Sequence, residues 1–421
     1  MTSPPHGDHG HAPPQRTVEQ HLEEILEVVS PLSELDLSLL DAHGCVLAED
    51  VTSSHPLPPF DNSAMDGYAV RRADVAGASE ESPTMLPVVG DVAAGSATPY
   101  TVQPGLCVRI MTGAPLPPGA DAVVPVEWTD GGIATVAIRR TPPEGAHIRR
   151  AGEDVTAGQQ VLPAGTHLGA AQVALLAAVG RARVLARPRP RVVILSTGSE
   201  LVEPGTPLGH GQIVDSNSYG LTCAAREAGA IAFRVGITTD DPREFRDTLE
   251  DQLIRADCII TSGGVSAGAY DVVKEVLSQL GTVGFHRVAM QPGMPQGFGT
   301  VGPEATPFFG LPGNPVSALI SFEVFVRPAL RRMLGTEPIQ RPTVRAKLES
   351  PIRKGAGRRQ FARGRLRVKD GAYVVAPFEG PGSHLLADYA AANTLVVVPE
   401  ETTELPAGAA VDCLMLERRQ R

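Results

Sequence analysis

The chain has no CxxC pair, no long apolar run, no basic excess and no Walker lysine, and each absence closes off a class of function. Its five cysteines, Cys45, Cys107, Cys223, Cys258 and Cys413, are scattered through 421 residues. That pattern argues against both a disulfide framework and a zinc site, and it fits a reducing compartment. The longest apolar span, residues 168–180, is too short and too rich in alanine to cross a bilayer. No basic segment leads into an apolar stretch at the N-terminus, so a cytoplasmic protein with no membrane partner is expected. A formal net charge of -10 disfavours nucleic acid, whose binding needs a basic surface to displace counterions. What remains, at 42% hydrophobic content, is a globular chain long enough for roughly two to four domains.

Residues 1–16 are rich in proline, glycine and histidine and read as a disordered tail. His6, His9 and His11 lie close together there, but nothing around them fixes a coordination geometry, and no role is assigned to them. A helix opens at Thr17, where Thr17 and Gln20 have the spacing of a capping box and Val18, Leu22, Ile25, Leu26 and Val29 share a face. Residues 53–154 carry short strands between glycine and proline turns, a β-rich domain inserted between two parts, 17–52 and 155–190, of a helical and extended one. From 191 to 338 strands alternate with helices, which predicts a doubly wound α/β domain with a parallel sheet covered on both faces. Residues 339–421 return to strands and predict a small β-barrel or sandwich. The fold class is therefore multidomain α/β. The first part of the last domain is basic, with Arg353, Lys354, Arg358, Arg359, Arg363, Arg365 and Arg367. A solvated face accounts for most of these, and one or two are left to reach an anionic ligand.

The stretch 257–274, DCIITSGGVSAGAYDVVK, reads as a buried strand, a glycine turn and a helix. Free N–H groups at such a junction hold anions. Two further loops follow strands of the same sheet, so three loops are expected at its carboxyl edge, where ligands of open α/β sheets bind. The first runs Ser196, Thr197, Gly198, Ser199, Glu200, and the second Ser262, Gly263, Gly264, Val265, Ser266. The third is Leu311, Pro312, Gly313, Asn314, Pro315, Val316, Ser317, with Asn314 an apt cap for a following helix. Three such loops point to a phosphate-bearing ligand, and the missing lysine excludes an ordinary P-loop nucleotidase. Carboxylates crowd the same region: Glu200, Asp215 beside Ser216, Asp240 and Asp241, Asp271, and Asp66 from an earlier loop. Carboxylates beside phosphates imply a divalent cation between them, and Mg2+ is the natural choice. Asp241 reads equally as a helix cap, and Asp215 as the residue that fixes the turn after it.

With these residues in view, the chain from about Thr17 onward closely resembles the molybdopterin molybdenumtransferases. The stretches that carry the resemblance are FDNSAMDGYAV (60–70), RIMTGAPLPPGADAVVPVE (109–127), AGEDV (151–155), STGSEL (196–201), PGTPLGHGQIVDSN (204–217), TSGGVSAGAYD (261–271), LPGNPVSA (311–318) and GSH (382–384). The resemblance implies a molybdopterin-binding α/β domain at 191–338, a C-terminal β-barrel at 339–421, and a homodimer whose active sites are shared between subunits. It further implies a molybdenum insertase that takes adenylylated molybdopterin and molybdate and releases AMP in a magnesium-dependent step. Contacts with the adenylylating enzyme and with molybdoenzymes follow from that role. Carried over by motif, Asp66, Glu200 and Asp271 become acidic active-site residues, Glu200 and Asp271 the metal ligands, and Asp240 and Asp154 further acids. Thr112 lies in the matching threonine-glycine pair, while Ser317, Arg363 and Ser383 fall where the family handles molybdate.

The sequence departs from the family pattern at RVAMQPGMPQ (287–296), where Gln291 and Met294 stand at positions that carry lysine in many relatives. Ala269 likewise replaces a common acidic residue. Methionine cannot neutralise an anion, so the departure opens an alternative, a catalytically weak paralogue that binds molybdopterin or acts as a scaffold.

Overall fold

The computed structural model of the protein describes residues 15–95, 100–238, 241–263, 270–380 and 382–416. Packing divides the chain into two units. One comprises the described parts of Met1–Leu35, Gly44–Val46 and Arg187–Arg421, the other Asp36–His43 and Leu47–Ala186.

The first unit is built on a six-stranded sheet in the order Ile231–Thr238, Arg191–Thr197, Cys258–Ser262, Thr306–Leu311, Pro295–Val301, Gly284–Arg287. The first four strands are parallel. Their side chains alternate between two cores, as period-2 geometry demands. Val192, Ile194, Ile260 and Phe309 face one cluster with Leu221, Ala225 and Val316. Val193, Leu195, Ile259 and Phe308 face the other with Phe245, Leu249, Val276 and Leu277. The helices Asn217–Glu227 and Pro315–Ser321 thus cover one face, and Pro242–Leu253 and Tyr270–Leu280 the other. The sheet is not wholly parallel as the alternating pattern predicts. Pro295–Val301 runs antiparallel to Thr306–Leu311, and Gly284–Arg287 antiparallel to Pro295–Val301. Only residues 302–305 join the first of these pairs, too few for a crossover, so a hairpin is the geometry available.

The helix expected at Thr17 spans Val18–Val28 and has its capping box: Gln20 N donates to Thr17 Oγ1 at 3.1 Å and Thr17 N to Gln20 Oε1 at 3.0 Å. Val18 and Ile25 enter the same cluster as Phe325, Val326 and Met333. His21 is buried with them, 4.9 Å from the Phe325 ring and 5.9 Å from His286. The helix Ala170–Ala178 belongs to the other unit.

Five strands close a barrel at the C-terminal end. Arg359–Lys369 pairs with Ala372–Pro377, then follow Thr343–Leu348, Ala410–Met415 and Thr394–Val398, which returns to Arg359–Lys369. Closure removes exposed edges and leaves an interior of Leu348, Leu366, Val375, Val396, Val411 and Cys413. Met290–Gln291 adds a short parallel pairing onto Arg359 and Gln360, so the segment that departs from the family pattern sits against the barrel.

The second unit holds a five-stranded sheet in the order Ala122–Pro125, Gly67–Val70, Cys107–Ile110, Thr84–Val92, Thr135–Ile138. Tyr68, Val70, Val124 and Ile138 bury one face of it.

Burial at His21 makes an acid-sensitive prediction. Desolvation, then repulsion from His286 and Arg16, lowers its pKa from the ordinary 6.5 to about 3. Between those values the unfolded chain binds a proton that the folded chain refuses, so this contribution to stability is complete above the unfolded pKa and is lost as pH falls through the window. The slope approaches about 1.4 kcal/mol per pH unit at most. Urea titrations are expected to show wild-type protein losing stability from neutral pH toward about pH 4 more steeply than His21→Phe, whose ring suits the same apolar site. Parallel losses in the two proteins would show that another group sets the acid limit.

Candidate active site

The parallel pairing places the three loops at one level, because Ser196 is opposite Ser262 and Ser262 opposite Leu311. They open onto a cleft of about 490 Å³. Thr197 and Glu200 line it from the first loop, Ser262 and Gly263 from the second, Pro312, Gly313 and Asn314 from the third, and Asp215 and Ser216 from the segment beside them. Gly198 and Ser199 lie in the first turn, and Ser317 is buried in the first turn of the helix Pro315–Ser321. Gly264, Ser266 and Asp240 lie outside the described residues, as does Ala269, and of Asp271 only the backbone, within the helix Tyr270–Leu280, is described.

Close approach explains the glycines. Gly198 has φ +150°, and a Cβ there would lie 2.7 Å from a Glu200 carboxylate oxygen. Gly263 has φ +95°, and a Cβ there would meet Thr197 O at 2.5 Å. The Glu200 side chain therefore folds back over its own loop, and the second loop rests on the first. Asp215 is buried beneath them. Its Oδ1 accepts from Ser196 Oγ and Ser218 N, both at 3.0 Å, while Oδ2 accepts from Ser218 Oγ and faces Arg234 at 3.5 Å. Asp215 thus fixes the turn into the helix Asn217–Glu227, besides lining the cleft. Asp241 caps its helix by accepting from Arg243 N at 2.8 Å.

Asn314 stands at the N-cap position, yet its side chain makes no capping bond. Pro315 has no N–H to offer, and the N–H of Val316 is taken by Ser383 O at 3.1 Å. The Asn314 side chain is left to the cleft.

The basic residues of the barrel behave differently from one another. Arg353 pairs with Glu404, Arg367 with Glu349, and Arg359 with Glu400 and Glu19. Arg363 is the buried member of the set. Its guanidinium donates to Gly382 O at 3.0 Å, Leu385 O at 3.2 Å and Gly380 O at 2.6 Å, which shapes the segment carrying Ser383 and His384. Burial lowers its pKa. Arg363 lines a small cavity with Gln291, Pro292, Gln360 and Gly382. Gln360 Oε1 is buried there without a partner among the described residues. Arg287 does not face this cavity and donates to Met294 Sδ at 3.4 Å.

Asp66, Thr112 and Asp154 belong to the second unit. Asp66 Oδ1 accepts from Thr112 N at 2.6 Å and Thr112 Oγ1 at 2.8 Å, and those bonds, the backbone one first, lower its pKa. Nearby in the same unit Asp61 accepts from Arg150 Nη1 at 2.6 Å and Ala151 N at 2.8 Å, which anchors the loop leading to the exposed Asp154.

Among the described residues no three His, Cys, Asp or Glu side chains gather to hold a metal. Magnesium is commonly bound by one or two carboxylates, with substrate phosphates and water completing six oxygens. Glu200 offers such a hard oxygen at the cleft, so the donor set fits an open site completed by substrate rather than a closed cage. Asn217, Pro295 and His384 also line the cleft without having been singled out in the sequence. For Asn217 the signal was its place at the end of the motif Asp215-Ser216-Asn217, at the start of a helix.

Comparison with known proteins accounts for nearly the whole chain. Residues 16–180 match the MoeA N-terminal region (domains I and II), 193–332 a probable molybdopterin binding domain, and 345–416 the MoeA C-terminal region (domain IV). The chain is 48% identical over 399 residues to molybdopterin molybdenumtransferase 2 of Mycobacterium tuberculosis, covering 93% of this chain and 98% of that one. It is 45% identical to molybdopterin molybdenumtransferase 1 of the same organism, covering 95% and 99%. The crystal structure of the molybdopterin biosynthesis MoeA protein from Pyrococcus horikosii superposes with a TM-score of 0.74 at 32% identity, covering 96% of this chain and 100% of that one. With the N-terminal, central and C-terminal regions all matched in order, the chain belongs to the molybdopterin molybdenumtransferase (MoeA) family.

Proposed function

We propose that the chain is a molybdenum insertase that transfers molybdate onto adenylylated molybdopterin and releases AMP in a magnesium-dependent step. The observation that carries this is the convergence of three glycine loops, level with one another, on a single cleft that also holds Glu200. Backbone N–H groups, Thr197 and Asn314 hold the phosphates, and Glu200 with Asp271 holds Mg2+. The cation, when bound, neutralises charge on the phosphoanhydride that is cleaved. Arg363, with Ser317 and Ser383, orients the molybdate, since a guanidinium suits a tetrahedral oxyanion. Asp66, with its hydrogen-bonded Thr112, Asp154 and Asp240 are proposed as further acids of the reaction. The full domain scheme expected from sequence, a cytoplasmic location, a homodimer with shared sites, and encounters with the adenylylating enzyme and molybdoenzymes belong to the same proposal.

A second reading, a weak paralogue that holds molybdopterin without efficient turnover, draws on Gln291 and Met294. Gln291 lines the Arg363 cavity, and neither residue brings a charge.

Purified protein given adenylylated molybdopterin, molybdate and Mg2+ is expected to release AMP. Glu200→Gln and Asp271→Asn are each expected to slow release by about 10²-fold or more, the scale on which an electrostatic stabiliser of developing charge is felt. Wild-type protein that releases no AMP sinks the insertase reading.

The two readings also separate at the departed positions. If Arg363 supplies the needed charge, the double variant Gln291→Lys, Met294→Lys turns over at close to the wild-type rate. A gain of about tenfold or more, equivalent to about 1.4 kcal/mol of transition-state stabilisation, would favour the weak paralogue.

A further inference from the structure

The first residue of the helix Asn217–Glu227 reaches across to both neighbouring loops. Asn217 Nδ2 donates to Ser262 Oγ and to Gly313 O, each at 2.6 Å. Those acceptors stand at the ends of adjacent strands, where the loops meet glycine to glycine: a Cβ on Gly313 would lie 3.8 Å from Gly263 Cα. Glycines permit that approach but do not enforce it. Beyond the last ladder pair, Ser262 opposite Leu311, the backbone bond from Gly263 N to Leu311 O at 3.1 Å continues the contact, and the Asn217 amide cross-links the loops from the side. Asn217 Oδ1 and Thr197 Oγ1, both on cleft-lining residues, are buried without a partner among the described residues. Neither atom supplies a competing tie that would explain why the amide is there.

We infer that Asn217 is a positioning residue, whose amide sets the spacing of the second and third loops and so of the N–H groups that face the phosphates. The inference rests on reading the cleft as the phosphate site. Removing the amide leaves Ser262 Oγ and Gly313 O unpaired and lets the loops drift apart. A displacement on the scale of 1 Å at reacting groups lowers turnover by about 10²-fold.

The test combines one readout that needs substrate with one that does not. In AMP release, Asn217→Ala is expected to lower kcat by about 10²-fold while KM moves by less than about tenfold. Asn217→Asp keeps the size but turns an acceptor toward the Gly313 carbonyl, so at neutral pH it falls below Asn217→Ala. It regains activity as the pH is lowered and the carboxyl, once protonated, donates again. A space-filling role predicts Asn217→Asp close to wild type at every pH, and that result overturns the inference. Without substrate, hydrogen exchange at the Gly263 amide is expected to quicken in folded Asn217→Ala, and unchanged exchange overturns the inference equally. Should Asn217→Ala fail to fold, Asn217→Ser, which removes the reach to both loops but keeps a polar side chain, carries the same exchange readout. Faster exchange in the variant alongside a wild-type protein that releases no AMP supports the cross-link and removes the catalytic reading of the cleft instead.

Discussion

The level ending of three parallel strands is the constraint on which the rest of the site depends. Ser196, Ser262 and Leu311 stand side by side in the ladder, so each loop leaves the sheet at the same height and the loops must share one small space. That crowding accounts for the residue choices around it. A side chain at Gly198 would meet Glu200, and one at Gly263 would meet the Thr197 carbonyl. The buried Asp215 then holds the following turn by satisfying Ser196 and Ser218 together, so the chain leaves the first loop in one direction only. Backbone bonds such as Gly263 N to Leu311 O and Val316 N to Ser383 O fix these loops in place, so an anion bound here requires little reorganisation of them.

The electrostatics follow a similar economy. The formal net charge is -10, so capture of a small anion depends on local cations rather than on the overall field. Of the seven basic residues at the start of the barrel, Arg353, Arg359 and Arg367 are matched by glutamates, in pairs that contribute little to stability and cancel each other's field. Arg363 differs from these three because it is buried and its N–H bonds go to carbonyls. Carbonyl dipoles receive these bonds, burial lowers the pKa, and the charge of Asp388 offsets that lowering in part.

Much of the fold was legible because its signals are local and periodic. Alternating apolar runs marked the parallel strands, and the spacing of Thr17 and Gln20 marked a capping box that the structure contains. The two antiparallel strands at the sheet's end were hidden because a short hairpin link, 302–305, carries no direction of its own until its partner strand is known. Asn314 illustrates a second kind of blindness. Its sequence context is that of an N-cap, but one of the N–H groups it could cap, that of Val316, is claimed by Ser383, nearly seventy residues away in the chain. Long-range competition for one donor leaves no trace in a local pattern. Asn217 was missed for a related reason: its two acceptors come from loops that only the folded sheet makes neighbours.

The same reasoning bears on the two missing lysines. A lysine near the Arg363 cavity would add a mobile point charge on a long stem, and its side-chain entropy would have to be lost on each encounter with an anion. Gln291 and Gln360 instead border the cavity, on backbone fixed by the strand pairing of Met290–Gln291 on Arg359 and Gln360. Amides donate hydrogen bonds without changing the net charge, so total attraction for an oxyanion falls while directional recognition is kept. The unpartnered Gln360 Oε1 shows that this wall is not fully satisfied by the protein itself. With Arg363 the one cation among its described lining residues, the cavity relies on fixed geometry more than on accumulated charge. If molybdate is held there as proposed, that balance favours discrimination by the shape and protonation of the oxyanion over long-range capture.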